Sequence, residues 1–375
     1  MTPRTVRIGT TELGREHPVC VMGVVNLSPE SFYKESIRVE VEDIVNMVAQ
    51  MEREGAGIID IGGASTAPKA IYGTLDITSE EELKRVETAM EGLRDAVDIP
   101  ISVDTFSSQV AETALDLGAS MINDITGLQG DPSMAKLLSD RDVPVVLMAK
   151  CADPCSSVEQ SIGAIKKSIE IAKTAGIRDE RIIIDPGIGF GKPADVDFSL
   201  LRELGRFVKF GYPVLVGVSR KAFIGNLLDQ PEPSERLFGT IAATSIAVQN
   251  GASLIRAHDV REASMAVRLG EAVRKGPPLV SQNIELVEIR NEHEGEIVID
   301  SVGAGREISR ALSRKAAMVN LKLYSVQTPA ALIIKQEMLA IGGDAAYHYD
   351  TIDFGVKTTD VLVMGTVLQV ARLAQ

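Results

Sequence analysis

The sequence is poor in cysteine and in aromatic residues. It has no tryptophan, aromatic residues make up 4% of the chain, and its three cysteines are too few for a disulfide framework. An odd number of cysteines fits a reducing compartment. Cys151 and Cys155 have a spacing that a metal site can use, but Val158 stands where an iron–sulfur pattern needs a third thiolate. We therefore expect two ordinary thiols at this pair.

Long apolar runs and positive charge are also scarce. No uncharged apolar stretch approaches the roughly 18 residues that a membrane-spanning helix needs, and residues 1–21 lack the apolar core and cleavage site of a signal peptide. The net charge of −13 argues against a nucleic-acid or anionic-membrane surface, although it leaves room for a small basic pocket. We expect a cytoplasmic protein that binds neither nucleic acid nor membrane.

The chain instead repeats one unit: a short apolar strand, a polar residue at its end, a loop and a helix. The clearest example is residues 181–193, RIIIDPGIGFGKP, where three isoleucines predict a strand buried on both faces and Asp185 follows it. An ionised carboxylate at the end of an apolar strand costs free energy unless a cation or a hydrogen-bond donor meets it. The predicted strands are Val19–Val25, Ile58–Ile61, Ile99–Val103, Met121–Ile122, Val143–Met148, Ile182–Ile184, Val214–Val218 and Leu254–Ile255.

Eight strand–helix units in about 250 residues are typical of a (β/α)8 barrel. An open doubly wound sheet uses the same elements, but no GxGxxG motif follows the first predicted strand. The composition changes after residues 275–278, KGPP, where two weaker strand–helix units begin. We predict an α/β protein with a (β/α)8 TIM barrel at residues 1–277 and a small α/β C-terminal extension of unknown role at residues 278–375.

In such a barrel the residues at the carboxyl ends of the strands gather on one face, whatever their separation in the sequence. Their carboxylates and amides suit a ring system rich in N–H donors. Their cations suit a phosphate or diphosphate, and an Asn oxygen can serve Mg²⁺, which prefers oxygen ligands. The predicted set is Asn26, Asp60, Asp104, Asn123, Asp185, Lys221, Arg256 and His258.

Several motifs in order give the barrel a resemblance to the dihydropteroate synthase family. They include MGVVNLSPESF at residues 22–32, DIGG at 60–63, SVDT at 102–105, IND at 122–124 and DPGIGFGK at 185–192. GVSRKAFIG at 217–225, ERLFGT at 235–240 and RAHDV at 256–260 complete the series. The resemblance covers residues 18–275, nearly the whole predicted barrel. It implies an enzyme that joins a dihydropterin methyl diphosphate to the amine of p-aminobenzoate and releases diphosphate, and it implies a homodimer.

The resemblance also implies roles for individual residues and a Mg²⁺ cofactor. Asp104, Asp185 and Lys221 match catalytic residues of the family and, with Asn123, its pterin site. A second set matches the diphosphate and amine sites: Asn26, Arg256 and His258 for the diphosphate, Asn26 also as the metal ligand, and Thr66, Pro68 and Ser219 for the amine.

Three loops depart from the family pattern. Ala64 and Ala67 replace an acid and an arginine, Tyr33–Ser36 replaces a Ser-Asp-Gly-Gly run, and Ala149–Cys151 replaces a His-Met pair and a glycine. These changes fall where the second substrate is expected, so the ordinary folate reaction and a methanopterin-pathway variant that uses a ribofuranosylaminobenzene phosphate both stay open. A pterin-dependent methyltransferase is a further alternative, although it has no use for a diphosphate site.

Overall fold

The first part of the chain forms a parallel eight-stranded sheet that closes into a barrel. A computed structural model describes residues 3–27, 41–64, 77–94, 96–275, 289, 291–302 and 304–374. The chain divides into two compact units, Met1–Pro277 and Pro278–Gln375, which are described separately here.

All neighbouring barrel strands are parallel and follow the order β8-β7-β6-β5-β4-β3-β10-β9. A parallel bridge between Ile184 and Val214 closes the ring between its two ends. The predicted (β/α)8 barrel is confirmed, with strand ends within two residues of the expected ones. The strands are β3 (Cys20–Asn26), β4 (Ile58–Gly62), β5 (Ile101–Asp104), β6 (Met121–Asp124), β7 (Val145–Met148), β8 (Ile182–Asp185), β9 (Leu215–Val216) and β10 (Leu254–Ala257).

A short N-terminal hairpin, which the sequence analysis missed, packs against the amino ends of these strands. Its strands β1 (Val6–Ile8) and β2 (Thr11–Leu13) pair antiparallel. Val6, Ile8 and Leu13 are fully buried in one cluster with the first inward residues of the barrel strands, such as Met22 and Ile58. This apolar layer fills one end of the barrel, so polar side chains further along the strands face the opposite end.

The helices around the barrel confirm the predicted alternation, with local differences. The segment after β8 forms two short helices instead of one. Thr78 caps the helix that begins at Ser79 and forms a capping box with Glu81. The described helices are α1 (Val41–Arg53), α2 (Ser79–Leu93), α3 (Ser108–Asp116), α4 (Met134–Arg141), α5 (Val158–Thr174), α6 (Ala194–Arg202), α7 (Gly205–Val208), α8 (Ala222–Leu228), α9 (Leu237–Gln249) and α10 (Val260–Lys275).

The C-terminal unit is an α/β structure built on an antiparallel three-stranded sheet with the order β11-β13-β12. Two of its strands and two of its helices were predicted from the sequence. The strand Asp344–Tyr347 and the helices Glu292–Ser301 and Arg306–Ala316 were not predicted. Val361 and Val363 are buried against Ala331 and Met338 in a core of its own. Its elements are α11 (Glu292–Ser301), α12 (Arg306–Ala316), β11 (Met318–Gln327), α13 (Thr328–Ala340), β12 (Asp344–Tyr347), β13 (Thr358–Thr366) and α14 (Val367–Leu373).

The cysteines differ from the expectation. Cys151 and Cys155 form a disulfide, so the prediction of two ordinary thiols is wrong. Both lie in the loop after β7, which folds back and brings their Cα atoms to 5.5 Å, within the range that a disulfide spans. Cys20 keeps a free thiol, and burial raises its pKa to about 12. Among the described residues, no helix combines the length and apolarity that crossing a membrane requires.

Candidate active site

Four polar side chains from neighbouring strands lie buried at the carboxyl end of the barrel. Asp60, Asp104, Asn123 and Asp185 are each less than 9% exposed, although the strands that carry them are otherwise apolar. Along each strand, the residue two positions earlier points the same way and is apolar or small, such as Ile58 before Asp60. The inward faces of the strands therefore change from apolar to polar towards the carboxyl end, and these four side chains form the floor of a pocket.

Arg256, at the end of β10, connects two carboxylates of this floor. Its Nε donates to Asp60 Oδ2 at 2.6 Å, and its Nη2 donates to Asp104 Oδ2 at 2.8 Å. Asn123 Nδ2 donates to the same Asp60 oxygen at 3.1 Å. Burial alone would lower the pKa of Arg256, but Asp60 and Asp104 raise it, so the guanidinium stays charged. Asp60 Oδ1 is buried and has no hydrogen-bond partner among the described residues.

Asp185 lies at the start of the glycine-rich loop. Its Oδ1 accepts a hydrogen bond of 2.7 Å from the Gly187 amide. Burial raises the pKa of Asp185, although the nearby Lys221, the Gly187 amide, Lys192 and Arg256 all act in the opposite direction. A carboxylate in this setting gains from a further donor that favours its charged form.

Lys221 reaches into the same region from the loop after β9. Its Nζ donates to the Ile188 carbonyl and lies 4.2 Å from the centre of the Phe190 ring. Burial lowers the pKa of Lys221 to about 8, while Asp185 raises it, so the ammonium is largely charged at neutral pH.

The backbone before Lys221 is held in an unusual conformation. Arg220 has a φ of 55°, in the left-handed region. Its guanidinium donates to both carboxylate oxygens of Asp259, at 2.9 and 2.7 Å, and to the carbonyls of Pro233 and Ser234. A paired Arg–carboxylate contact of this kind has a fixed geometry. Arg220 therefore fixes the direction in which the Lys221 side chain extends from the backbone.

His258, Ser219 and Asn26 form a second polar group beside the floor. His258 Nδ1 is 2.9 Å from Ser219 Oγ, and its Nε2 is 3.4 Å from Asn26 Nδ2. Burial, together with Arg256, Arg220 and Lys221, lowers the pKa of His258 to about 3. The ring is therefore neutral at pH 7 and offers hydrogen bonding rather than positive charge.

The structure thus brings most of the predicted site residues to one end of the barrel. Arg256, which the prediction grouped with His258 as an anion-binding pair, also lies at this end and bonds to two carboxylates of the floor. Thr66 and Pro68 lie outside the described residues, as do Ala67 and the altered segment Tyr33–Ser36.

Three residues of this region were not predicted: Phe190, Lys192 and Asp197. Lys192 is buried and its Nζ donates to the Gly187 carbonyl, while Asp197 is buried and accepts from the Gly189 amide at 2.7 Å. The only sequence signal for them was their closeness to the glycine-rich motif. Nothing in the pattern distinguishes a buried Asp197 from the exposed Asp195 two residues earlier.

Comparisons with known proteins point to one family. A family model described as pterin binding enzyme matches residues 22–258. The dihydropteroate synthase of Clostridium beijerinckii is 38% identical over 271 residues, which are 72% of this chain and 99% of that protein.

Solved structures give the same result. The Xanthomonas albilineans dihydropteroate synthase with 4-aminobenzoic acid is 38% identical, with a TM-score of 0.67 over 74% of this chain and 100% of that one. The same enzyme in complex with 7,8-dihydropteroate has a TM-score of 0.64 at 36% identity, over 73% of this chain and 100% of that one. This chain belongs to the dihydropteroate synthases of the pterin binding enzyme family.

Proposed function

We propose that the barrel joins a dihydropterin methyl diphosphate to an arylamine, with p-aminobenzoate as the amine and diphosphate as the leaving group. The observation that carries this proposal is the polar floor: buried carboxylates and an amide at the closed end of a pocket, in a chain similar over nearly the full length of known dihydropteroate synthases. Such a floor matches the row of N–H and amino donors along one edge of a pterin.

The pterin is held by Asp104, Asn123, Asp185 and Lys221. The carboxylates and the amide oxygen accept from the ring N–H groups, and the Lys221 ammonium donates to a ring oxygen or nitrogen. Arg256 stays within hydrogen-bond distance of Asp60 and Asp104, so its planar guanidinium is available as a fixed surface against the ring. Because these groups come from separate strands of a closed barrel, their positions are set before the substrate binds.

In the reaction the bond between the pterin methylene carbon and the diphosphate oxygen breaks, and the diphosphate leaves with the electron pair. The lone pair of the amine nitrogen forms the new carbon–nitrogen bond, and a proton of the amine passes to the solvent. Positive charge develops on the methylene and the ring, and the buried Asp104 and Asp185 stabilise it because their dipoles and charges are already in place. A neutral arylamine needs no strong base, so positioning supplies much of the rate.

The leaving diphosphate is assigned to Asn26, Arg256 and His258. Neutral His258 contributes a hydrogen bond, so positive charge must come from Arg256, Lys221 or a metal ion. The residues fit Mg²⁺, because the amide oxygen of Asn26 is the kind of ligand that this ion prefers. When bound, Mg²⁺ neutralises the leaving group.

The amine is assigned to Thr66, Pro68 and Ser219. A phosphate-bearing amine is the second candidate, and one observation favours it. Lys150, in the altered loop after β7, and Lys167 line an open cavity of about 550 Å³, and neither forms an ion pair with a described residue. Two uncompensated cations in a chain with a net charge of −13 suit a phosphate group.

The test is diphosphate release by the purified protein with dihydropterin methyl diphosphate and Mg²⁺. Turnover with p-aminobenzoate is the expected result. Preference for the ribofuranosyl phosphate derivative of the amine would assign the second candidate, and binding of the pterin without release from either amine would contradict the proposed reaction. A cytoplasmic location stays a prediction.

The protein is also proposed to be a homodimer. Helix α9 carries no charged residue and leaves Phe238 81% exposed, and the adjoining α10 leaves Met265 and Leu269 more than half exposed. A continuous apolar face of this kind in an otherwise acidic protein suits a second copy of the same surface. Sedimentation of the wild type and of Phe238→Asp tests this: the variant should be monomeric, and an unchanged mass would contradict the assignment.

A further inference from the structure

Asp197 is a buried carboxylate to which the reaction described above gives no role. It lies in the first turn of α6, and only 2% of its surface is exposed. Its Oδ1 accepts a 2.7 Å hydrogen bond from the Gly189 amide, in the middle of the glycine-rich loop. A buried carboxylate costs free energy unless its charge is used, so its presence here needs a reason.

The loop segment that Asp197 holds is the segment against which Lys221 packs. Gly189 has a φ of 78°, and a Cβ at this position would lie 2.3 Å from Lys221 Cδ. The residues on either side also contact Lys221: the Ile188 carbonyl accepts from Nζ, and the Phe190 ring lies 4.2 Å from it. Three consecutive loop residues therefore define the position of one side chain.

We propose that Asp197 is a positioning residue for this reaction: it holds the loop of residues 187–191 through the Gly189 amide and thereby fixes the Lys221 ammonium in the pterin pocket. The inference rests on the proposed function of the barrel. It extends that function to a residue outside the pocket, which acts on the substrate only through Lys221.

The charge of Asp197 has a second effect, because it faces two buried cations. Lys221 reaches it from the loop after β9 and Lys192 from the glycine-rich loop, while Asp195 is the nearby acid on its own helix. Burial raises the pKa of Asp197 to about 6, and the two lysines oppose this rise. Above pH 6 the carboxylate is ionised and favours the protonated form of Lys221. Asparagine at this position would keep an acceptor for the Gly189 amide but remove that charge.

A structural explanation also exists, because acidic residues in the first turn of a helix stabilise it through the helix dipole. Asp195 offers a matched control for this. It carries the same charge in the same turn of α6 but is exposed, and no described hydrogen bond joins it to the glycine-rich loop.

The experiment compares wild type with Asp197→Ala, Asp197→Asn and Asp195→Asn. Diphosphate release is measured from pH 6.5 to 9.5, giving kcat and KM for the pterin substrate, and binding of dihydropterin methyl diphosphate is measured by calorimetry over the same range. For Asp197→Ala we expect kcat/KM at pH 7 to fall about tenfold or more, because the loop loses its anchor. Asp197→Asn should retain most of the wild-type kcat/KM at pH 7. Its kcat/KM should begin to decline at a pH about half a unit lower than that of the wild type. Asp195→Asn should match wild type in both respects.

Two results would overturn the inference. One is an Asp197→Asn profile identical to that of wild type together with normal kcat/KM for Asp197→Ala. The other is a lower melting temperature in both Asp197 variants with unchanged kinetics and binding, which would assign a structural role. If Asp197→Ala fails to fold, the inference is decided by the pH at which kcat/KM of Asp197→Asn begins to decline. A wild type that binds the pterin but releases no diphosphate would reject the proposed function, and the binding profiles would still test Asp197.

Discussion

Arg256 donates a 2.6 Å hydrogen bond to Asp60, 196 residues earlier in the chain. The same guanidinium reaches Asp104, so one side chain of β10 is joined to the ends of β4 and β5 across the barrel. Asp60 is fully buried and the Arg256 side chain is 19% exposed, so this ion network is largely shielded from solvent, unlike a surface pair. This network therefore joins three strands of the barrel at their carboxyl ends.

The first prediction concerns that network. Arg256→Ala removes the cation that bonds to two buried carboxylates, and the loss of one partner of a buried ion pair typically costs about 3–5 kcal/mol of unfolding free energy. Urea denaturation monitored by circular dichroism measures it. The control is Arg7→Ala, because Arg7 pairs with Glu12 at 3.6 Å on the exposed surface, where a loss of about 0–1 kcal/mol is expected. Equal losses of unfolding free energy in Arg256→Ala and Arg7→Ala would show that the buried network stabilises the fold no more than a surface ion pair does.

The barrel and most of its polar floor were predictable from the sequence for a physical reason. Strand ends in a parallel barrel converge, so Asp104 and Asp185 had to meet once the eight units were recognised. Which side chains bond to each other was not predictable. Arg256 was assigned to the anion site because its charge suits one, and no sequence pattern indicates that it also bonds to two carboxylates.

Other features were missed because their signals are weak or local. Asp197 differs from Asp195 only in the helix face on which it lies, and no capping pattern marks that face. The Cys151–Cys155 disulfide depends on how the loop after β7 folds back, which the spacing of two cysteines does not determine. The neutral state of His258 follows from burial beside three cations, Arg256, Arg220 and Lys221. Only Arg256 lies close to His258 in the sequence.

A second prediction concerns Asp185. Asp185→Asn keeps the shape of the side chain and an oxygen that accepts from the Gly187 amide, but it removes the charge facing the pterin. Because fixed charge stabilises the developing cation, we expect turnover to fall more than tenfold, with the melting temperature little changed. Asp124→Asn is a useful comparison, since Asp124 accepts from Thr126 and Leu128 within its own loop. Near-normal diphosphate release by Asp185→Asn would reject the assignment.

The pH dependence of Lys221 gives a third prediction. Its pKa is lowered by burial to about 8, so the ammonium is present below that pH and is lost above it. The value of kcat/KM, which reports on the free enzyme, should therefore decline above about pH 8. Lys221→Arg keeps the charge throughout and should abolish this decline, even though its rate at pH 7 is reduced. A decline that persists unchanged in Lys221→Arg would show that another group causes it.

The fourth prediction addresses the second substrate. Position 67 carries alanine where the family pattern has an arginine that helps to hold the amine and diphosphate end. If the loop change tuned the enzyme away from p-aminobenzoate, Ala67→Arg should lower KM for that amine, and Lys150→Ala should weaken use of a phosphate-bearing amine without affecting p-aminobenzoate. Lys136→Ala, an exposed lysine on α4, controls for loss of surface charge. Identical kinetics for both amines in all variants would show that positions 67 and 150 do not determine which amine the enzyme uses.

The last prediction is that the barrel functions without the C-terminal unit. The whole of the Xanthomonas enzyme corresponds to 74% of this chain, and the first compact unit is residues 1–277. Each unit also has a hydrophobic core of its own. A chain that ends after residue 277 should therefore fold cooperatively and release diphosphate at a rate within about twofold of the full chain, because its catalytic groups all lie before that point. Loss of turnover in a truncated chain that still binds the pterin would instead show that residues 278–375 contribute to the reaction itself. Loss of folding would assign them to the stability of the barrel.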